Sequence, residues 1–307
     1  MFHSSNIYLH LIFLLLIFLL LQFDKDGNLF RWTGSPILLD SEIPRDPEIL
    51  ELLAKYRPAV EALTKDVYGF SKVELQKNCT NYECNLGNLI TDSWVYSRVQ
   101  SKQYTGPGWT DASIALVNAG AIRSATTIGE LSQFALSTIL PFNNSLYVVQ
   151  VPGSCLKAAL EYTVREYVCG GYVRGFLQMS GLHVVFNLSK TPGDRVQSVE
   201  VLCSNCSTPV YEPLDLMKVY GVILESFIYG GGDGFDMFES LKAIEMSTTS
   251  LDSLTNYIKH VEWIYPAVEG RIKFVAENNN STSDSSITTP ISITLIAVSL
   301  LLVKSQF

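Results

Sequence analysis

Apolar positions collect at the two ends of the chain and recur in short periodic runs between them. Five runs, SIALVN, SLYVVQV, GLHVVFNL, VQSVEVLC and KVYGVIL, are rich in β-branched and aromatic residues and are bounded by turn-forming residues, so they predict strands. Three others, NLGNLITDSWVYSRV, CLKAALEYTVREY and SLTNYIKHV, follow helical spacing. Their alternation along the chain predicts an α/β fold. Before the first of them, FDKDGNLFRW places an Asp-Gly turn between apolar stretches, so Asp24 to Leu39 reads as a hairpin. Asp46-Pro47-Glu48 then opens a helix, with Asp46 as cap and Pro47 in the first helical position. Ile49, Leu50, Leu53, Val60 and Leu63 continue it, and Pro58 predicts a kink.

The apolar ends change the topological picture. Ile7 to Phe23 has the length of a signal-peptide core or short anchor, without an upstream Lys or Arg and without a small-residue cleavage site before Asp24. At the other end the polar stretch NNNSTSDSSITTP leads into ISITLIAVSLLLV and then KSQF. These thirteen apolar residues would rise only about 20 Å as a helix, against a hydrocarbon core of about 30 Å. A tail replaced by a glycosylphosphatidylinositol anchor fits that order, with attachment near Asn280, Ser281 or Ser283 and Ser281 as the assigned residue. The positive mean hydropathy of +0.19 is inflated by these two segments. Charge is acidic, with 22 Lys and Arg against 30 Asp and Glu over 307 residues, a net −8. No basic block is present to neutralise a phosphate backbone, which argues against nucleic acid as a partner.

Cysteine and Asn usage agree with an extracellular chain. Cys79 and Cys84 form one close pair and Cys203 and Cys206 another. CSNC is compatible with half a zinc knuckle or a redox dithiol, but CTNYEC has four intervening residues rather than two, so small-loop disulfides are the preferred reading. Asn78, Asn143, Asn187, Asn205, Asn279 and Asn280 each begin a glycosylation sequon.

Candidate chemistry sits in the segments between the predicted strands. Asn118-Ala119-Gly120-Ala121-Ile122-Arg123 follows SIALV, which puts an amide and a guanidinium at a strand end, where open α/β sheets bind ligands. Arg123 could grip a phosphate or carboxylate, or simply pair at the surface. Gly230 to Gly234 can bring backbone close to a ligand, although a plain loop or a calcium ligand would read the same way. Asp233 within it accepts hydrogen bonds only and would suit paired sugar hydroxyls. Phe142 and Phe227 flank these loops, and each taken alone reads as core. His183 in GLHVVF reads as a strand residue rather than a base.

Together and in order, KNCTNYECNLGNLITD, LVNAGAIRS, ILPFNNSLYVVQVPG, FLQMSGLHVVFNLSKTPGDRV, VLCSNC, GGGDGF and IYPAVEGRIKF resemble the C-terminal domain of the animal ecto-5′-nucleotidases. The likeness runs from about residue 24 to the C-terminus. It implies an α/β fold of mixed sheets layered with helices, and a domain that binds the nucleoside. On it, Phe142 and Phe227 would sandwich the base, Asp233 would hold the ribose hydroxyls, and Asn118 and Arg123 would contact base and sugar-phosphate. It implies hydrolysis of nucleoside monophosphates, with adenosine monophosphate as ligand, a glycolipid anchor at the outer face of the plasma membrane, and a homodimer left open.

The resemblance also divides the chain: residues 1–23 as the signal-like segment or anchor, 24–45 as the end of an N-terminal metallophosphatase domain, 46–65 as a connecting helix, 66–278 as the C-terminal domain, and 279–307 as the anchor signal. In the family two divalent metals of zinc type act in the N-terminal domain. This sequence offers four histidines, His3, His10, His183 and His260, and no HxH, DxH or GNH, so no metal site is expected within it and the domain alone would bind without turnover. Departures from the family are Thr80 after the first cysteine, and Ala119 and Ala121 in place of glycines, which imply a weaker hold on phosphate. Thr91 and Ala115 replace a cysteine pair, and Cys155 with Cys169 offers a substitute. Two other readings of the same residues are a non-catalytic nucleoside- or protein-binding ectodomain and a piece of an apyrase or UDP-sugar hydrolase relative.

Overall fold

The computed structural model describes residues 15–167, 173 and 175–275, with side chains placed from residue 21 onward. Strands β1 (Leu15–Phe23) and β2 (Leu29–Leu38) form the expected hairpin. Its turn is closed by Asp24, whose Oδ1 accepts N–H groups from Asp26 and Asn28 at 2.9 and 2.8 Å, while Gly27 supplies a φ of +84°. The first strand extends back past Phe23, so the pairing crosses the boundary drawn there from sequence. Helix α1 (Pro47–Lys65) begins as read: Asp46 Oδ1 accepts from the amides of Glu48 and Ile49 at 2.8 and 3.2 Å. The helix runs on through Pro58, where the sequence predicts a kink, and none of its residues is buried. Apart from the half-buried Leu63 its apolar residues are exposed, as are those of the hairpin from Leu21 onward, Trp32 at 65%.

The remaining chain builds three mixed sheets. In order it forms β3 (Val67–Ser71), α2 (Asn85–Val99), β4 (Ile114–Asn118), β5 (Gly129–Ser132), α3 (Gln133–Ile139), β6 (Ser145–Pro152), α4 (Gly153–Thr163), β7 (Leu177–Ser180), β8 (Leu182–Asn187), β9 (Val196–Leu202), β10 (Tyr211–Pro213), β11 (Val219–Glu225), α5 (Ser226–Tyr229), β12 (Ala243–Thr249), α6 (Ser250–Val261), β13 (Trp263–Ile264) and β14 (Ile272–Val275). The central sheet has the order β12-β6-β11-β4-β7, with β11 and β4 parallel and the other pairs antiparallel. A four-stranded sheet, β10-β9-β8-β14, and a three-stranded one, β13-β3-β5, flank it. β4 is buried at every position, as its unbroken apolar run requires. α2 packs on β4 and β7 and carries α6 beside it. The expected α/β class with mixed sheets is therefore the observed one.

Buried polar groups tie the loops to this framework. Both close cysteine pairs are disulfides, Cys79–Cys84 and Cys203–Cys206. Gln178 on β7 is fully buried; its Oε1 accepts from Cys84 N–H, and its Nε2 donates to the carbonyls of Cys79 and Tyr82. The first disulfide loop is thus pinned to the central sheet. Glu83 in that loop accepts from Asn88 Nδ2 and from the amides of Glu269 and Ile272, which draws the IYPAVEGR segment onto α2. Arg98 clasps Asp111 through two bonds of 2.7 and 2.6 Å. Thr91 and Ala115, where relatives are expected to carry cysteines, are fully buried. Cys155 is a half-buried free thiol, and Cys169 lies outside the described residues.

Candidate functional site

Four strand ends and loops converge at one edge of the central sheet. Asn118 closes β4, and Ala119–Ala121 continue as one 3-10 turn leading to Arg123. Phe142 and Asn144 lie in the loop between α3 and β6, in which Asn143 takes a φ of +47°. Glu225 ends β11, Phe227 follows in α5, and Asp233 sits in the glycine run after it. The two Phe rings line one cavity of about 210 Å³ together with Asn118, Arg123, Asp233 and the Asn144–Glu225 pair. All five substrate-site residues expected from sequence are therefore brought together.

Geometry suits this cavity to a flat, hydrogen-bonding ligand. Phe142 and Phe227 remain 59% and 46% exposed, so part of each ring is open to a ligand in the cavity that they line. Asn118 is 2% exposed; its Nδ2 donates to Asp233 Oδ2 at 2.6 Å, and its Oδ1 is buried without a partner. An orphaned acceptor of this kind costs about 1–3 kcal/mol unless something donates to it. Arg123 is exposed, its Nη1 donating to Gly120 O, with the guanidinium 5.8 Å from the centre of the Phe142 ring. Its remaining donors are available at the cavity mouth.

The glycine run is shaped for close approach. Asp233 takes a φ of +53°, a left-handed conformation that Asp tolerates better than most residues. A Cβ on Gly232 would fall 2.6 Å from the Phe227 ring, so only glycine lets that ring lie on the loop backbone. Tyr162 Oη donates to Asp233 O at 3.1 Å, and its ring meets the fully buried Phe235 edge-on at 5.0 Å. The residues at 119 to 121 all have negative φ, so the turn itself does not demand the glycines that the family resemblance leads one to expect. Ala121 instead adds its methyl to the cavity wall.

Sequence reading missed Glu225, Asn144 and Tyr162. Glu225 follows an apolar strand and looks like an exposed strand end, yet it is 2% exposed, and Asn144 Nδ2 donates to its Oε2 at 3.1 Å. Burial, opposed by hydrogen bonds from Asn144 and Ser250, pushes its carboxyl above the ordinary carboxylate range. His183 lies on β8, stacked on Tyr211 at 3.9 Å and 3.5 Å from Glu200, in a different sheet from the site. Among the described residues no group of three or more His, Cys, Asp and Glu is placed to hold a metal ion, so these residues do not fit a two-metal centre. A roomier groove of about 500 Å³ lies between the end of α2 and β12, but its lining lacks aromatic and acidic side chains.

The fold and the cavity define an α/β domain of mixed sheets with an aromatic-lined cavity at the strand ends. Residues 66–240 match the family described as 5′-nucleotidase, C-terminal domain. The chain is 44% identical over 266 residues to Protein 5NUC of Lutzomyia longipalpis, covering 84% of this chain and 46% of that one. It is 38% identical over 261 residues to the 5′-nucleotidase of Homo sapiens, covering 83% and 45%. Among solved structures, a 5′-nucleotidase precursor from Thermus thermophilus superposes with a TM-score of 0.67 at 32% identity, over 85% of this chain and 50% of that one. The chain belongs to the 5′-nucleotidase family through its C-terminal domain. It spans about half the length of the curated relatives it matches.

Proposed function

We propose that residues 66–278 form the nucleotide-recognition domain of a cell-surface 5′-nucleotidase, with adenosine monophosphate as its ligand. The observation that carries this reading is the cavity that holds Phe142, Phe227, Asn118, Arg123 and Asp233 together. Two rings fit the faces of a base, which stack with little demand for hydrogen-bond matching. Asp233 offers acceptors to a ribose diol, Asn118 a buried acceptor to an N–H, and Arg123 a cation to the phosphate. The described residues supply recognition; the hydrolytic chemistry of the relatives is assigned to the part of them that this chain does not span. A homodimer belongs to the same proposal, as do two zinc-type metals in that other part.

The C-terminal sequence supports a glycosylphosphatidylinositol anchor at Ser281, outside the described residues; among those residues no helix is long and apolar enough to cross a membrane. Release from cells by phosphatidylinositol-specific phospholipase C tests the anchor, and persistence on the membrane after complete digestion rejects it. Calorimetry of the purified chain with adenosine and adenosine monophosphate tests the site. Arg123→Ala is expected to weaken the monophosphate severalfold and leave adenosine unchanged; equal loss for both would remove Arg123 from the phosphate contact.

A further inference from the structure

The aromatic-lined cavity carries a hydrogen-bonding side chain that the contacts assigned above to base, ribose and phosphate do not use. Glu225 lies there, at the end of β11, and lines the same cavity as both rings. It is 2% exposed, so its carboxyl has given up bulk water. Asn144 Nδ2 donates to Oε2 at 3.1 Å, and the Ser250 hydroxyl is a second partner. Such contacts fix the carboxyl's plane. Asn118 Oδ1, the buried acceptor already assigned to a ligand N–H, lines the cavity as well. The pocket interior is therefore rich in acceptors, and the complementary ligand edge carries an amine.

We infer that Glu225, held by Asn144 and Ser250, is a specificity-determining residue that hydrogen-bonds the amino-bearing edge of a purine lying between Phe142 and Phe227. The inference rests on the nucleotide-site reading of this cavity and deepens it. A base without an exocyclic amine would give Glu225 one hydrogen bond fewer in a site shielded from water, which discriminates against an otherwise isosteric ligand. Burial that favours the neutral carboxyl adds an O–H donor beside the acceptor, matching the amine and adjacent ring nitrogen of adenine.

A cycle of ligand and protein changes tests this. Adenosine and purine riboside, which lacks only the amine, are titrated calorimetrically against the full chain and against Glu225→Met. In the unsubstituted chain adenosine is expected to bind about fivefold or more tightly than purine riboside, and in Glu225→Met the two should bind alike. An equal loss for both ligands in the variant, or no gap in the unsubstituted chain, overturns the inference and leaves Glu225 a structural tie. Failure of both ligands to bind the unsubstituted chain would instead reject the nucleotide site itself. Should the variant not fold, N6,N6-dimethyladenosine decides the matter on the unsubstituted chain: it should bind no better than purine riboside, and binding equal to that of adenosine overturns the inference.

Discussion

Asn118 and Asp233 are joined across the cavity by a 2.6 Å bond from Asn118 Nδ2 to Asp233 Oδ2, although 115 residues separate them in sequence. The bond sets how each presents itself. Asn118 is left with an acceptor directed away from its partner, and the Asp233 carboxylate is oriented while its loop is fixed by Tyr162. Asp233 keeps a second oxygen for a ligand hydroxyl.

Replacing Asp233 by Asn should separate recognition from folding. Asn tolerates the left-handed φ of +53° as well as Asp does, so the melting temperature should hold. One acceptor becomes a donor, and the ribose diol loses a charge-assisted bond worth about 1.5–3 kcal/mol. Adenosine affinity is expected to fall about tenfold or more, while 2′,3′-dideoxyadenosine, which lacks the diol, should be affected far less. Equal losses for the two nucleosides would show that Asp233 does not hold the sugar.

Phe227→Ala addresses the stacking surface. The ring is nearly half exposed and lies on the Gly232 backbone rather than in the core, so its removal should cost little stability. Base stacking contributes about 1–3 kcal/mol per ring, which translates to a loss of adenosine affinity of about tenfold. Unchanged affinity in a variant with native circular dichroism would show that the ring stacks on no base.

Much of this arrangement is legible in the sequence. Asn85–Val99 forms as read because its apolar residues keep helical spacing across all its turns, and β4, β6, β8, β9 and β11 because their runs are apolar and bounded by turns. β5 and α3 are harder because they are short, and β12 because only Met246 of its seven residues is buried. Within the site, Phe142, Phe227 and Asp233 are legible through the family motifs rather than through periodicity. Glu225 is not, because nothing in KVYGVILE distinguishes a glutamate entering solvent from one turned under a loop. Its burial depends on Asn144 and Ser250, brought there from other parts of the chain.

The raised carboxyl of Glu225 carries a pH dependence of stability. Its folded pKa lies above the unfolded value, so its contribution is fully present below the ordinary carboxylate pKa and is lost as pH rises through the folded value. As pH rises above the ordinary carboxylate range the unsubstituted chain should lose stability from this residue, and Glu225→Gln, which does not titrate, should not. The melting-temperature difference between the two should therefore widen in favour of the variant as pH rises. A difference constant with pH would show that Glu225 ionises in the folded chain as freely as in the unfolded one.

Arg271 should be the most costly single replacement in the C-terminal segment. Its Nη1 and Nη2 each donate to Asp92 at 2.8 Å, Nε and Nη2 to Glu269 at 3.0 and 2.7 Å, and Nη1 also to Met179 O at 2.9 Å. The side chain is 8% exposed, against 36% for Asp92 and 52% for Glu269. Water can therefore reach both carboxylates once the arginine is gone, which moderates the penalty of an unpaired buried charge. The Met179 carbonyl has no such relief. Arg271→Met should consequently destabilise the fold by about 2–4 kcal/mol, a fall in melting temperature on the order of 5–15 °C for a domain of this size. Arg271→Lys should recover only part of this, because one ammonium cannot reproduce the paired contacts to Asp92 while reaching Glu269. Calorimetric unfolding of the three chains decides it: melting temperatures within a degree or so of one another would mean that the Asp92, Glu269 and Met179 contacts contribute nothing net to the native state.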